Sequence, residues 1–340
     1  ARNFKEASTT LEELNRYGVR INDKLKAWRA DEQQKKAQGP DMRSCQTIEE
    51  AAQIAYAHLD NLSPRNLSAF WTIVSRCLPN QIGRQQNDQQ LVHQLNSIFS
   101  RTMDEIDMLG PRDLAQTALG FAKIVNHVER GKIPPQGSPH QILHDLLIEQ
   151  KEFVFQSIAN AVFTRLAQFD DRCLSNIAYA NALVDYVPNF DDGSTLFDHL
   201  GERSIRLLET FNQQGLSNIV WAFAKVEVSH PRLFEKVADE IIAHGNLDRF
   251  PPQGLSTIVW AFAKTEVSEP HLFEKVADYI VALDNIDMFK PQCLSNIVWA
   301  FAKADVSHPR LFEKVAAYIV ALEHLESFKP QELSNTLWAF

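Results

Sequence analysis

Residues 216–254 read LSNIVWAFAKVEVSHPRLFEKVADEIIAHGNLDRFPPQG, and residues 255–293 keep 27 of those 39 positions unchanged. Trp221, Trp260, Trp299 and Trp338 mark the same beat, each 39 residues after the last. A unit of this length cannot bury an apolar face by itself. Copies must stack, and the core then runs continuously from one to the next. The repeat therefore outranks chain length as a guide to architecture.

Each regular unit divides into two helices. The first, helix A, opens at a Pro-Gln pair such as Pro252-Gln253, with proline in the first turn where its missing N–H has no cost, and runs to about Lys264. The second, helix B, is expected to start at Ser229-His230-Pro231 with the serine as N-cap. It carries an apolar stripe through Leu233, Phe234, Val237, Ala238, Ile241 and Ile242, the spacing of one helical face. Gly245-Asn246 reads as a left-handed stop, and Phe250, Phe289 and Phe328 as plugs in the joint before the next unit. No segment alternates like a strand. The fold class is all-α, an α-solenoid of stacked antiparallel helix pairs.

The pattern extends backwards through Leu67, Leu114, Leu174, Leu216, Leu255, Leu294 and Leu333. Residues 46–173 hold irregular repeats and 174–340 regular ones, the last cut short at Phe340. The inserts at 80–89 and 130–140, rich in Gly, Pro and Gln, belong in loops. Residues 1–45 lack the pattern and are mildly basic; Thr10 to Glu13 suggests a capping box opening a helix to about Arg29, followed by a polar linker. The chain begins at Ala1 and stops within a repeated helix, so the natural protein is expected to be longer. No apolar run is long enough to span a membrane. Cys45, Cys77, Cys173 and Cys293 lie far apart without a CxxC pair and read as reduced, buried thiols. A formal charge of −9 argues against gripping a nucleic acid by bulk electrostatics alone.

Helix A carries the informative face. On a helical wheel with the repeated leucine at the origin, Leu216, Ile219, Val220, Phe223 and Ala224 cluster on the core side. Three columns line up opposite. Two places before the leucine stand Arg65, Arg112, Arg172, Gln214, Gln253, Gln292 and Gln331. Two places after it stand Ala69, Gln116, Asn176, Asn218, Thr257, Asn296 and Asn335. Nine places after it stand Arg76, Lys123, Leu183, Lys225, Lys264 and Lys303. A cation in most units can follow phosphates, and a varying small polar group can hydrogen-bond a splayed base, the logic of modular single-strand readers. The plain alternative is a solvated or protein-binding surface. The tryptophans lie at the border of this stripe and are assigned to packing between neighbouring A helices rather than to base stacking.

Catalytic signals are weak. His140 and His144 have the spacing of two metal ligands, yet no third ligand is evident, and the Ser-His pairs at 229–230 and 307–308 recur as helix starts. With no phosphate loop, no nucleophile elbow and no unique constellation, neither enzyme activity, a metal, a cofactor nor a small-molecule substrate is expected.

LSNIVWAFAK followed by HPRLFEKVA and FKPQ resembles the octotricopeptide repeat, most closely over Leu174–Phe340, more weakly over Leu67–Arg172 and not at all over 1–45. The resemblance implies an RNA-binding protein of the plastid or mitochondrion, the plastid slightly favoured, acting in RNA maturation, stability, translation or ribosome assembly. Single-stranded RNA and protein subunits of a ribonucleoprotein or another organellar complex are the implied partners. Several members carry a C-terminal RAP domain, which this chain does not reach. A second reading is a non-catalytic scaffold holding a protein on its concave face, to which the charge and the Glu235, Glu274 and Glu313 column give some weight.

Overall fold

The computed structural model describes residues 40–80, 89–131, 138–243, 245–322 and 324–340. The helix expected near the N-terminus, and most of the two loop inserts, lie outside the described residues. Within them the chain is helical throughout, with one isolated bridge between Asn189 and Thr195 in place of any strand. Two layers run side by side. The A layer comprises α2 (Pro64–Cys77), α4 (Pro111–Arg130), α7 (Asp171–Leu183), α9 (Gln213–Lys225), α11 (Pro252–Thr265), α13 (Pro291–Lys303) and α15 (Pro330–Ala339). The B layer comprises α1 (Ile48–Ala57), α3 (Gln89–Asp104), the pair α5 (Pro139–Leu147) and α6 (Lys151–Phe163), α8 (Leu196–Arg206), α10 (Pro231–Ala243), α12 (Pro270–Ala282) and α14 (Pro309–Ala321). Each helix meets its counterpart in the next unit, as an α-solenoid requires.

The A helices lie much closer together than the B helices, so A forms the inner layer and B the outer. The cause is side-chain size. Ser175, Ser217, Ser256 and Ser295 recur one place after the key leucine and are buried. Their hydroxyls bond back to carbonyls of their own helix, Ser217 to Gln213 at 2.8 Å and Ser256 to Gln253 at 2.9 Å. They are thereby satisfied without claiming space from a neighbour. Gly120 in α4 sits against the Trp71 backbone, and Gly254 in α11 against Ser217.

The core is the run of large side chains between layers. Phe223, Phe262 and Phe301 are fully buried, each edge-on to a B-helix phenylalanine: Phe197, Phe234 and Phe273, at 5.0 Å between centroids. Phe250, Phe289 and Phe328 are buried in the joints, as expected, and Phe211, Phe169, Leu109 and Leu62 fill the equivalent earlier places. All four cysteines are free and buried. Burial pushes the Cys173 thiol up to about 12.

Two local expectations are corrected. Helix B is capped by the residue directly before proline rather than by serine: the Leu311 N–H donates to His308 Nδ1 and the Leu233 N–H to His230 Nδ1, both at 3.2 Å. Proline at the first helical position places the cap one residue later than Ser229. Gly245 is not left-handed. Among the described residues the left-handed ones are Asp185, Glu227, Glu266 and Asp305, which follow the A helices, and Gly193. The next amide bonds back five residues, Val228 N–H to Phe223 O at 3.1 Å and Val306 N–H to Phe301 O at 3.0 Å, a Schellman closure.

Because a Cβ at Gly120 would stand 3.0 Å from the Trp71 carbonyl carbon and oxygen, Gly120→Ala forces two helix backbones apart. Overpacking of about 1–3 kcal/mol should exceed the helix-propensity gain of about 1 kcal/mol. Gly254→Ala meets side chains rather than backbone, the Ser217 hydroxyl at 3.0 Å and the Pro251 ring at 3.4 Å, and should shift the urea midpoint less. Equal midpoints for the two variants would contradict this account of the inner layer. Cys173 should also resist thiol reagents at mildly alkaline pH until the chain is unfolded.

Candidate functional site

The inner faces of α4, α7, α9, α11 and α13 enclose one continuous groove of about 1110 Å³. It draws on several polar columns at once. Arg172, Gln214, Gln253 and Gln292 line it from the position before the leucine, and Gln116, Asn176, Asn218, Thr257 and Asn296 from the position after it. The latter are all half-buried, so each side chain is held between neighbours with its tip open to the groove. Asn218 Oδ1 accepts from Gln214 Nε2 at 3.3 Å, leaving its own amide N–H groups available to a ligand.

The tryptophans pack between A helices as expected, and two of them also open into the groove. Trp221, Trp260 and Trp299 are half-buried against the core, while Tyr179, Trp221 and Trp260 line the cavity. Tyr179 and Trp221 lie 4.8 Å apart at 36°, and Trp299 and Trp338 6.4 Å apart at the same tilt. Trp338 is 60% exposed on α15. Trp71 belongs to another position: it is buried and donates to Thr102 Oγ1 at 2.8 Å.

The cation column behaves differently from its expected role. Lys225, Lys264 and Lys303 are absent from the groove lining. Each is paired with the left-handed acid of the preceding unit: Lys225 with Asp185 at 3.1 Å, Lys264 with Glu227 at 2.8 Å, and Lys303 with Glu266 at 3.0 Å. The hydrogen bond and charge of Lys264 hold the Glu227 carboxyl below its ordinary range, and Lys303 does the same for Glu266. Arg76 is also engaged, donating to the carbonyl oxygens of Arg43 at 3.3 Å and Cys45 at 2.9 Å. Lys123 does line the groove. Arg65 and Arg112 are exposed near the starts of α2 and α4, outside the lining; on α15 the exposed Gln331 and the half-buried Asn335 also stand outside it.

Several lining residues escaped the repeat pattern. Asn126 and Arg130 continue the Lys123 face because α4 runs past the length of a regular A helix, ending at Gly131 without a left-handed acid. Asn212 and Lys290 precede α9 and α13, where the repeat alignment places no shared residue type. Helical spacing beyond Lys123 (three, then four residues) was the available signal.

The suspected histidine pair does not converge on one ion. His140 packs against His127, ring centres 5.7 Å apart, and burial, then the His127 charge, lower its pKa. His144 instead turns to Asp145 at 3.2 Å. His144, Asp145 and Glu149 can bring ligand atoms within 4.8 Å of one another, an arrangement common among surface acids. Glu235, Glu274 and Glu313 are exposed on outer-layer helices, which removes them from the concave face assigned to a protein partner.

Residues 189–340 match the family model described as RNA-editing substrate-binding complex 6 protein. The match covers the regular repeats from residue 189 onward and leaves out α7. No curated protein matches the chain. What the matched family and the octotricopeptide resemblance share is the coarser description, a helical protein associated with RNA; the comparison does not single out the octotricopeptide family. Among the described residues no helix is long and apolar enough to cross a membrane.

The lysine–acid ladder has a direct titration signature. Carboxyl resonances of Glu227 and Glu266 should titrate below an ordinary glutamate, and Lys264→Gln should return Glu227 towards that value while leaving Glu266 depressed. A depressed folded-state pKa contributes stability that is present above the unfolded value and is lost as pH falls through the folded one. Identical titration of Glu227 in parent and Lys264→Gln would show that the rung does not form.

Proposed function

We propose that this chain is a non-catalytic, RNA-binding solenoid of an organellar ribonucleoprotein, and that its inner groove holds single-stranded RNA. The observation that carries this reading is the groove itself: a continuous channel lined in register by amide, hydroxyl and aromatic side chains, repeated along a stack. Amides in a half-buried setting can bond base edges, and indole faces tolerate any base. The groove runs over several parallel A helices and offers no single projecting helix to enter a duplex groove. The matched family's name, an RNA-editing substrate-binding complex protein, supports an RNA-associated role in processing or maturation. It gives no reason to prefer plastid over mitochondrion, and we assign the protein to an organelle without that preference.

Protein partners fit beside RNA. Glu235, Glu274 and Glu313 repeat along the outer layer, away from the groove, and suit a basic subunit. The solenoid would then act as scaffold and RNA clamp together, the two faces serving different ligands.

Fluorescence anisotropy with a single-stranded RNA pool should show saturable binding, weaker for duplex RNA of the same composition. Selection of bound sequences with Asn218→Ala should relax base preference at one position, leaving the others unchanged. Failure of the parent to bind any single-stranded pool at low salt would remove the reading.

A further inference from the structure

The groove is electrically divided along its length. From α9 onward each repeat lysine is tied to the preceding unit's acid and stands outside the lining. The ladder cannot extend back to α4 or α7. The place of the acid after α2 is taken by Leu78, which is buried, and after α4 by Val125, also buried; the place of the lysine in α7 is taken by Leu183. Lys123, Arg130 and Arg172 are exposed, line the groove at α4 and α7, and face no ladder acid there. Arg130 lies close enough to Tyr179 to counter the rise in that phenol's pKa caused by burial. The opposite stretch is lined chiefly by Gln214, Asn218, Gln253, Thr257, Gln292 and Asn296, with Lys290 the cation at its far end.

We infer that the groove binds the phosphates of its RNA chiefly at one end, where Lys123, Arg130 and Arg172 converge, and contacts the remainder of the strand mainly through uncharged groups, with Lys290 a single cation beyond them. This rests on the RNA-binding reading above and adds an orientation to it. A strand that meets three cations at α4 and α7 and one, Lys290, at the far end is held mainly by charge at one end and mainly by base contacts along the rest. Uniform phosphate tracking, one cation per repeat, is then not how the array works. Self-neutralised rungs also explain how a chain of net charge −9 can keep a nucleic-acid groove: the excess acid is placed on the rim and the outer layer rather than in the channel.

The test compares the salt dependence of binding for the parent chain and its variants with one single-stranded RNA. In K123Q/R130Q/R172Q the cationic end is neutralised. In the second variant the ladder is neutralised as pairs (Lys225→Gln with Asp185→Asn, Lys264→Gln with Glu227→Gln, Lys303→Gln with Glu266→Gln), so that no lone acid is left to repel RNA. Each phosphate contact in a single strand adds roughly 0.7 to the slope of log K against log salt. The first variant should lose about 2 from that slope, while the ladder variant should keep the parent slope. Circular dichroism establishes that each variant is folded, and R130K/R172K, which retains the charge, should restore the slope. A ladder variant that loses as much slope as K123Q/R130Q/R172Q, or more, overturns the divided groove while leaving RNA binding intact. A parent that binds no RNA overturns both.

Discussion

The structure depends on how closely successive A helices approach. Small side chains at the contact, serine after the key leucine and glycine or alanine nearby, let the inner layer draw together, whereas the phenylalanine-bearing B helices stay apart. That difference in spacing curves the stack, and the curve makes the groove. The hydroxyls of Ser175, Ser217, Ser256 and Ser295 bond within their own helices, so these four are satisfied despite the close packing. Larger residues at these positions would flatten the inner layer and open the channel before they affected any ligand-facing group.

Cations in this fold have two kinds of work. Some fasten one unit to the next. Arg165 donates to the Leu109 carbonyl at 2.7 Å, Arg203 to Ala167 at 2.8 Å, and Lys314 to Val281 at 2.9 Å, reaching back to the preceding unit. The three ladder lysines do the same on the inner side through carboxylates. Exposed ion pairs of this kind contribute little individually and follow the register that the packed inner layer sets. The cations left over, Lys123, Arg130 and Arg172 at one end and Lys290 at the other, are the ones a ligand can meet in the groove. A cation column in a sequence therefore need not be a binding column.

Much of the architecture was legible beforehand. The 39-residue beat, the proline-initiated A helices and the phenylalanine plugs each follow from local chemistry acting at fixed spacing, and the structure holds them as read. From α7 to α13 the columns on either side of the leucine also line the groove together, because a straight helix carries its own wheel into three dimensions. Trp221 and Trp260 illustrate where that reasoning stops. Their border position on the wheel suited packing, and they do pack, but a residue between two helices can face a channel as well, which a single helix's wheel cannot show.

The sequence by itself determined the fold class, the repeat boundaries and which face of helix A is polar, since all three depend on spacing within one or two turns. Tertiary structure decided which polar residues share a groove and which cations remain free. Lys264 and Glu227 are 37 residues apart and meet only because one unit stacks on the last, with Glu227 turned by a left-handed φ of 56°. Nothing in the spacing of either helix encodes that contact. It arises from the rise and rotation between units, and those are set by the small residues packed in the inner layer.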